Sequence, residues 1–314
     1  MERLDHGISV IDTGFVRPQF DASHLIVENG RAAFVDTGTN HSVPRLLAAL
    51  AAHDLEPDAV DWVVLTHVHL DHAGGAGLLL EHLPRAKLVV HPRAARHMID
   101  PSALMEGVRA VYGEEVTARD YGELVPVPAE RVVTTSDGSV LELSGRPLRF
   151  FDMPGHARHH HCMWDEVSRG WFTGDTFGVA YPELATRSGR YVAPATAPVQ
   201  FDPVALRASV TRMLEWQPEV MYLTHYGAVR NASRLAAQLL RQVDAMVDAA
   251  RSLADAPQRH ERLKEAFRTI YMAELRRAGS PLDESSIEAM LATDIELNAQ
   301  GVGVWLDREA ERGR

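Results

Sequence analysis

The sequence predicts an α/β layered fold followed by an α-helical extension. Three observations lead there. Short β-type runs alternate with helical segments through roughly the first 230 residues, several of those runs end in polar residues of metal-ligating type, and from residue 231 onward helical periodicity takes over.

Taken in order, His6 to Thr13 is rich in β-forming residues. Ser23–Val27 and Arg31–Val35 flank Glu28-Asn29-Gly30, an Asn-Gly hairpin signal, and the second run ends in Asp36-Thr37-Gly38. Residues 43–53 place Leu46, Leu47 and Leu50 on one face and predict a helix. Trp62-Val63-Val64-Leu65 reads as a buried strand. It delivers the chain into Thr66-His67-Val68-His69-Leu70-Asp71-His72-Ala73-Gly74-Gly75, after which a helix at 76–83 and a buried strand at Leu88–His91 follow. Residues 92–130 hold Pro92, Pro101, Pro126 and Pro128 among short helical patches and are expected to form a lid or wall, with plain packing as the alternative. Strands return from Arg131 to Phe172, where Val140–Leu143 and Leu148–Phe151 are separated by a turn, Ser144-Gly145-Arg146-Pro147. A helix is predicted over 204–216 and a strand over Glu219–Leu223, ending at Thr224-His225-Tyr226-Gly227. The tail repeats apolar residues at helical spacing: Leu235, Leu239, Val243 and Met246, then Leu263, Phe267, Ile270 and Tyr271. Gly279-Ser280-Pro281 interrupts the pattern before Ile287–Leu297.

Composition narrows the class. At 314 residues, with 46% hydrophobic and 24% charged, the chain reads as a soluble globular enzyme, long enough to bury a core without a metal or disulfide staple. A metal site here is therefore expected to be functional. The net charge of −11, from 43 acidic and 32 basic residues, argues against a nucleic-acid partner. Cys162 is the sole cysteine, which excludes an intrachain disulfide and a thiolate cluster and fits a reducing compartment. The N-terminal residues lack a signal-peptide run, and no stretch reaches the roughly 18 apolar residues of a membrane span. The expected location is the cytoplasm, with no membrane partner.

The chemistry concentrates in His67-x-His69-x-Asp71-His72, four ligand-type side chains within six residues. Imidazole and carboxylate suit divalent transition metals such as zinc, iron or manganese. A loop after a buried strand can turn His67 and His69 one way and Asp71 and His72 another, so that one segment serves two metals. The plainer reading is a polar strand-end loop with exposed histidines. Four such residues at this spacing, between a strand and Gly74-Gly75, argue against it.

This segment resembles the signature of the metallo-β-lactamase-fold hydrolases. The resemblance covers roughly residues 5–230. It implies a four-layer αβ/βα sandwich, with residues 1–230 as the catalytic domain and the metals at one edge of two central sheets; residues 231–314 fall outside it as an α-helical C-terminal extension. It also implies further ligands at strand ends, and Pro154-Gly155-His156, Phe172-Thr173-Gly174-Asp175 and Leu223-Thr224-His225 supply them in order. Carried over residue by residue, His67, His69 and His156 hold one metal, Asp71, His72 and His225 hold the other, and Asp175 bridges both. Asp36 is expected beneath the site, accepting a hydrogen bond from a ligand histidine. Of His159, His160 and His161, one is expected to support the ligands and two to lie at the surface; Cys162 is expected to begin a strand as a buried small side chain.

Two metals roughly 3.5–4 Å apart lower the pKa of a bridging water and polarise a substrate oxygen. The expected cofactors are two divalent metal ions, zinc first, with iron or manganese as alternatives. The expected reaction is attack of a metal-bridging hydroxide on a small ester, lactone or thioester, with Asp71 orienting the hydroxide or passing its proton. The Asp175–Asp202 stretch, with Phe177, Tyr181, Arg187, Arg190, Tyr191 and Phe201, is expected to wall the substrate. Tyr181 or Tyr191 would donate to the carbonyl oxygen, unless both simply pack. The alternative is an iron-dependent oxygenase or oxygen-binding protein, persulfide-dioxygenase-like, on the same fold; a phosphodiesterase or nuclease fits the charge less well. The apolar stripes of the tail must be covered, by the chain itself or by a second copy, and a homodimer through the C-terminal helices is the expectation.

Overall fold

A computed structural model describes residues 1–312 apart from Ala197 and Pro198, and only the main chain of Val111 and Tyr112. Two residues of the expected wall, Ala197 and Pro198, and the last two of the expected extension, Gly313 and Arg314, therefore lie outside the described residues.

The strands form two mixed β-sheets. The first sheet holds, in spatial order, β1 (Glu2–Arg3), β2 (Ile8–Asp12), β3 (Ala22–Glu28), β4 (Arg31–Val35), β5 (Val60–Val64), β6 (Lys87–Val90) and β7 (Val132–Thr134). β1 to β4 form an antiparallel meander, and β4 to β7 run parallel. Parallel neighbours need crossovers. These carry α1 (Val43–Ala51), α2 (Leu70–Ala73), α3 (Ala76–His82), α4 (Ala95–Ile99), α5 (Ser102–Tyr112) and α6 (Glu114–Asp120). The second sheet holds β8 (Val140–Leu143), β9 (Arg146–Asp152), β10 (His161–Asp165), β11 (Gly170–Gly174), β12 (Val220–Leu223) and β13 (Gly227–Val229), with β10 between β9 and β11.

By compactness the chain divides into two units. One comprises residues 1–152, 159–174 and 219–228; the other comprises 153–158, 175–218 and 229–314. In the first, Ile26, Val35, Val64 and Val89 pack with Phe150, Met163, Phe172 and Tyr222, so the apolar faces of the two sheets bury one another. The opposite face of the first sheet packs Phe34, Val63 and Leu88 with Leu46, Leu79 and Met98 from the crossover helices.

Local chemistry explains the tight turns. Asn29 and Gly30 both sit at positive φ, and Glu28 pairs with Arg31, as a two-residue hairpin requires. Ser144 and Gly145 repeat the device, with Leu143 opposite Arg146. Arg146 and Pro147, expected as turn, are thus the first residues of β9; two residues suffice to reverse the chain. The expected lid at 92–130 contains three helices. Pro101 does not break α5 but precedes its first residue, where its missing N–H removes nothing from the helix.

The second unit holds α7 (Pro203–Glu215), α8 (Ala232–Ser252), α9 (Arg259–Ala278) and α10 (Glu284–Arg312). Asp202 caps α7, its Oδ1 accepting from the amides of Val204 and Ala205 at 3.0 Å, with Pro203 at the first helical position. The expected tail stripes are covered within the single chain: Leu235, Leu239, Val243, Met246, Leu263, Phe267 and Tyr271 are buried, and Ile270 is half-buried. Among the described residues no helix is long and apolar enough to cross a membrane.

Candidate metal centre

The His67–His72 segment leaves β5 and changes conformation midway. Val68 and Leu65 join the apolar core beside the crossover helices, which leaves His67 and His69 free of it. His69 is still extended, and α2 begins at the next residue, so Asp71 and His72 ride on a helical turn. The two halves therefore aim differently. His67, His69, His156 and Asp175 form one cluster of ligand atoms and Asp71, His72 and His225 another, with all atoms of a cluster within 4.8 Å of one another. All seven residues singled out in the sequence as ligands are thereby brought together. Asp175 falls in the first cluster.

Glycine is needed at two of the motif positions. Gly155 has φ +138°, and a β-carbon there would stand 2.3 Å from Leu206 Cα in α7. Gly174 has φ +47°, and a β-carbon would stand 2.5 Å from His160 Nε2 and 2.6 Å from Thr66 Oγ1. The glycines before His156 and Asp175 thus permit close approach as well as the turn.

The hydrogen bonds assign the ring nitrogens. His72 Nδ1 donates to Asp36 Oδ2 at 2.8 Å, His225 Nδ1 donates to the Phe20 carbonyl at 2.9 Å, and His156 Nδ1 donates to the Ala195 carbonyl at 2.9 Å. A neutral imidazole with its proton on Nδ1 presents a lone pair at Nε2. Those Nε2 atoms face carboxylates: His225 Nε2 is 3.4 Å from Asp71 Oδ2, and His156 Nε2 is 3.3 Å from Asp175 Oδ2. His67 Nε2 lies 2.9 Å from His69 Nδ1. Lone pairs and carboxylate oxygens at these separations repel one another unless a cation or proton sits among them. The donor set, imidazole nitrogen plus carboxylate oxygen, fits divalent transition metals.

Asp36 underlies this arrangement as expected, and reaches further than expected. Fully buried, it accepts from the Thr66 amide at 2.8 Å, from Thr66 Oγ1 at 2.8 Å, from Thr224 Oγ1 at 2.7 Å and from His72. Thr66 precedes His67 and Thr224 precedes His225, so one carboxylate braces three ligand-bearing positions.

The histidine triplet departs from its expectation. His159 is half-buried, but His160 and His161 are both buried rather than at the surface. His161 opens β10, a central strand. Its Nε2 donates to the Leu65 carbonyl at 2.7 Å, its Nδ1 accepts from Thr135 Oγ1 at 2.8 Å, and its amide donates to the Thr66 carbonyl at 3.0 Å. Burial, reinforced by His91, pulls its pKa down to about 4. The His160 ring stacks on His67, centroids 4.8 Å apart. Cys162 is buried, its Sγ donating to the Thr173 carbonyl at 3.4 Å.

Asp21 is a residue the sequence did not single out. It is fully buried, accepts from Thr13 Oγ1 at 2.8 Å, and interacts electrostatically with His225, His72 and Asp71; burial pushes its carboxyl up to about 7. No spacing rule joins Thr13 to Asp21, which only the β2–β3 loop brings together. Tyr181 and Tyr191, expected to reach a substrate carbonyl, are both buried: Tyr181 OH donates to Asp294 at 3.2 Å and Tyr191 OH to Gln242 at 2.5 Å. Burial drives the Tyr191 pKa well up.

The sequence model of the metallo-beta-lactamase superfamily matches residues 16–225. The chain belongs to that superfamily, whose fold normally holds divalent metals and whose members include hydrolases. It is similar to a metallo-beta-lactamase fold-containing protein, ST1585, of Sulfurisphaera tokodaii, 27% identical over 228 residues, 71% of this chain and 79% of that protein. It is also similar to hydroxyacylglutathione hydrolase of Salmonella typhi, 30% identical over 162 residues, and to the human acyl-coenzyme A thioesterase MBLAC2, 29% identical over 161 residues. Those matches cover 51% and 45% of this chain, and the chain spans about half the length of each relative, 49% and 52%. The crystal structure of archaeal ST1585 from Sulfolobus tokodaii superposes with a TM-score of 0.67 at 23% identity, covering 95% of this chain and 99% of that one, a likeness of fold.

Proposed function

We propose that this chain is a dinuclear metal-dependent hydrolase that cleaves a small thioester, ester or lactone, with zinc as the favoured metal. One observation carries the reading: seven side chains from four separate segments place their ligand atoms in two clusters, served by one His67–His72 segment. Bound divalent metals supply Lewis acidity and a water of lowered pKa. His67, His69, His156 and Asp175 would hold one, and Asp71, His72 and His225 the other. Asp71 has a quarter of its side chain open to solvent, while His72 and His225 are buried, so its carboxylate is the group of that trio best placed to orient a water and take up its proton. Tyr181 and Tyr191 are assigned to packing, because both are buried and either hydroxyl would have to leave its acceptor, the half-buried Asp294 or the buried Gln242, before reaching a substrate. The thioester preference is supported by the names of two relatives, a hydroxyacylglutathione hydrolase and an acyl-coenzyme A thioesterase. A cytoplasmic location is proposed from the lone, buried Cys162.

The test is a substrate panel of acyl thioesters, lactones and phosphodiesters on the metal-loaded chain. The reading expects thioester or lactone turnover that chelator abolishes, added zinc restores and Asp175→Ala lacks. Turnover confined to phosphodiesters, or oxygen consumption by an iron-loaded form without hydrolysis, would overturn it.

A further inference from the structure

We propose that the C-terminal helices position a metal ligand: Asn298 in α10 clamps the main chain on both sides of Ala195, whose carbonyl orients His156. This rests on the reading of His156 as a ligand.

The Asn298 amide is buried and its hydrogen-bonding capacity is used in full. Its Oδ1 accepts from the Thr196 amide at 2.6 Å and from Thr196 Oγ1 at 3.0 Å; its Nδ2 donates to the Pro194 carbonyl at 2.8 Å and to Tyr271 OH at 2.7 Å. An asparagine amide has two N–H bonds and one carbonyl oxygen with two lone pairs, and all four find partners here. Tyr271, buried in α9, fixes the amide from the helix side, so its other three contacts are free to hold residues 194 and 196. Ala195 stands between those two. Its carbonyl has no side chain to steer it; its direction follows from the peptide planes on either side. That carbonyl accepts the Nδ1 proton of His156 at 2.9 Å, which leaves His156 Nε2 as the nitrogen presented 3.3 Å from Asp175 Oδ2. A shift of the segment by about 1 Å would break the Ala195–His156 bond and free the imidazole to turn or change tautomer.

The arrangement gives the tail a task that its apolar packing does not require. Its helices bury their own stripes without Asn298, and a leucine would fill that position with less desolvation. A buried asparagine that spends three of its hydrogen bonds on one loop is explained by what the loop holds.

The experiment uses the full chain in five forms: unaltered, Asn298→Leu, Thr196→Val, Leu263→Ala and His156→Ala. Zinc affinity is read by competition with a chromophoric chelator, and the ring nitrogens of His156 by nitrogen NMR in metal-free protein. Asn298→Leu is expected to weaken one metal by about 10–100-fold, the range for removing a ligand's outer partner, and Thr196→Val, which removes only the hydroxyl's bond, to weaken it by a smaller but measurable factor; both reduce the Nδ1-protonated signature of His156. Leu263→Ala loosens α9 without touching the clamp and is expected to stay within about twofold, as sites without shared partners do. If Asn298→Leu fails to fold, Thr196→Val decides. Unchanged affinity and NMR signature in Thr196→Val, or an equal loss in Leu263→Ala, overturns the clamp. If His156→Ala itself keeps both metals, the ligand reading falls and the clamp falls with it.

Discussion

His72 and His156 are held by opposite kinds of acceptor. Each donates its Nδ1 proton and turns Nε2 toward carboxylates. His72 donates to a buried carboxylate, Asp36, which also binds Thr66 and Thr224. His156 donates to a neutral main-chain carbonyl. An anionic acceptor makes a shorter, stronger bond and raises the basicity of the opposite nitrogen; a carbonyl mainly fixes orientation. One half of the centre is thus wired into the sandwich by charge, and the other takes its geometry from the course of residues 194–196. The two ligand-type clusters therefore depend on different parts of the chain.

The largest expected effect breaks the charged half. Asp36→Ala leaves the Thr66 amide, the Thr224 hydroxyl and the His72 Nδ1 proton buried without their acceptor, at a cost of about 3–5 kcal/mol. Denaturant unfolding checks it, and an unmoved midpoint would remove the brace from the account. Second comes the contrast between Asp175 and the histidine triplet. Asp175→Ala is expected to lose more metal and more activity than alanine at His159, His160 or His161. An equal loss at one of the three would make that residue a ligand.

A smaller effect appears in acid and concerns only the sandwich. Burial lowers the pKa of His24 and His161 from 6.5 to about 4, so both fold as neutral rings. Between those values the unfolded chain binds more protons than the folded one. These two rings contribute stability that is complete above pH 6.5 and declines as the pH falls toward about 4; the raised Asp21 carboxyl, which keeps its proton in the folded chain up to about 7, offsets about one of their two protons, so the net slope approaches about one. Equilibrium unfolding at stepped pH measures that slope, and His161→Asn should bring it close to zero. The smallest effect is one of size. With the tail's apolar faces covered inside one chain, light scattering at micromolar concentration is expected to give a monomer. A stable dimer would show that another surface associates.

Much of this was legible because it is written locally. Trp62–Leu65 is an apolar run, the residues after it alternate core and ligand types, and Asn29-Gly30 can do little but turn. What stayed hidden depends on contacts between distant residues. The burial of His160 and His161 follows from β10 being a central strand and from the space left beside Gly174. The Tyr191 hydroxyl meets Gln242 and Thr196 meets Asn298, 51 and 102 residues away. Periodicity shows which face of a helix is buried; it does not show what a buried polar side chain will touch.

The central claim is that two metals bind per chain, each dependent on its own histidine. Elemental analysis of carefully loaded, chelator-free protein tests it most directly, repeated on His225→Ala and His156→Ala. The unaltered protein is expected to hold close to two divalent ions per chain and each variant about one, as a two-metal site requires. At most one tight ion in the unaltered protein, or two in either variant, would contradict it.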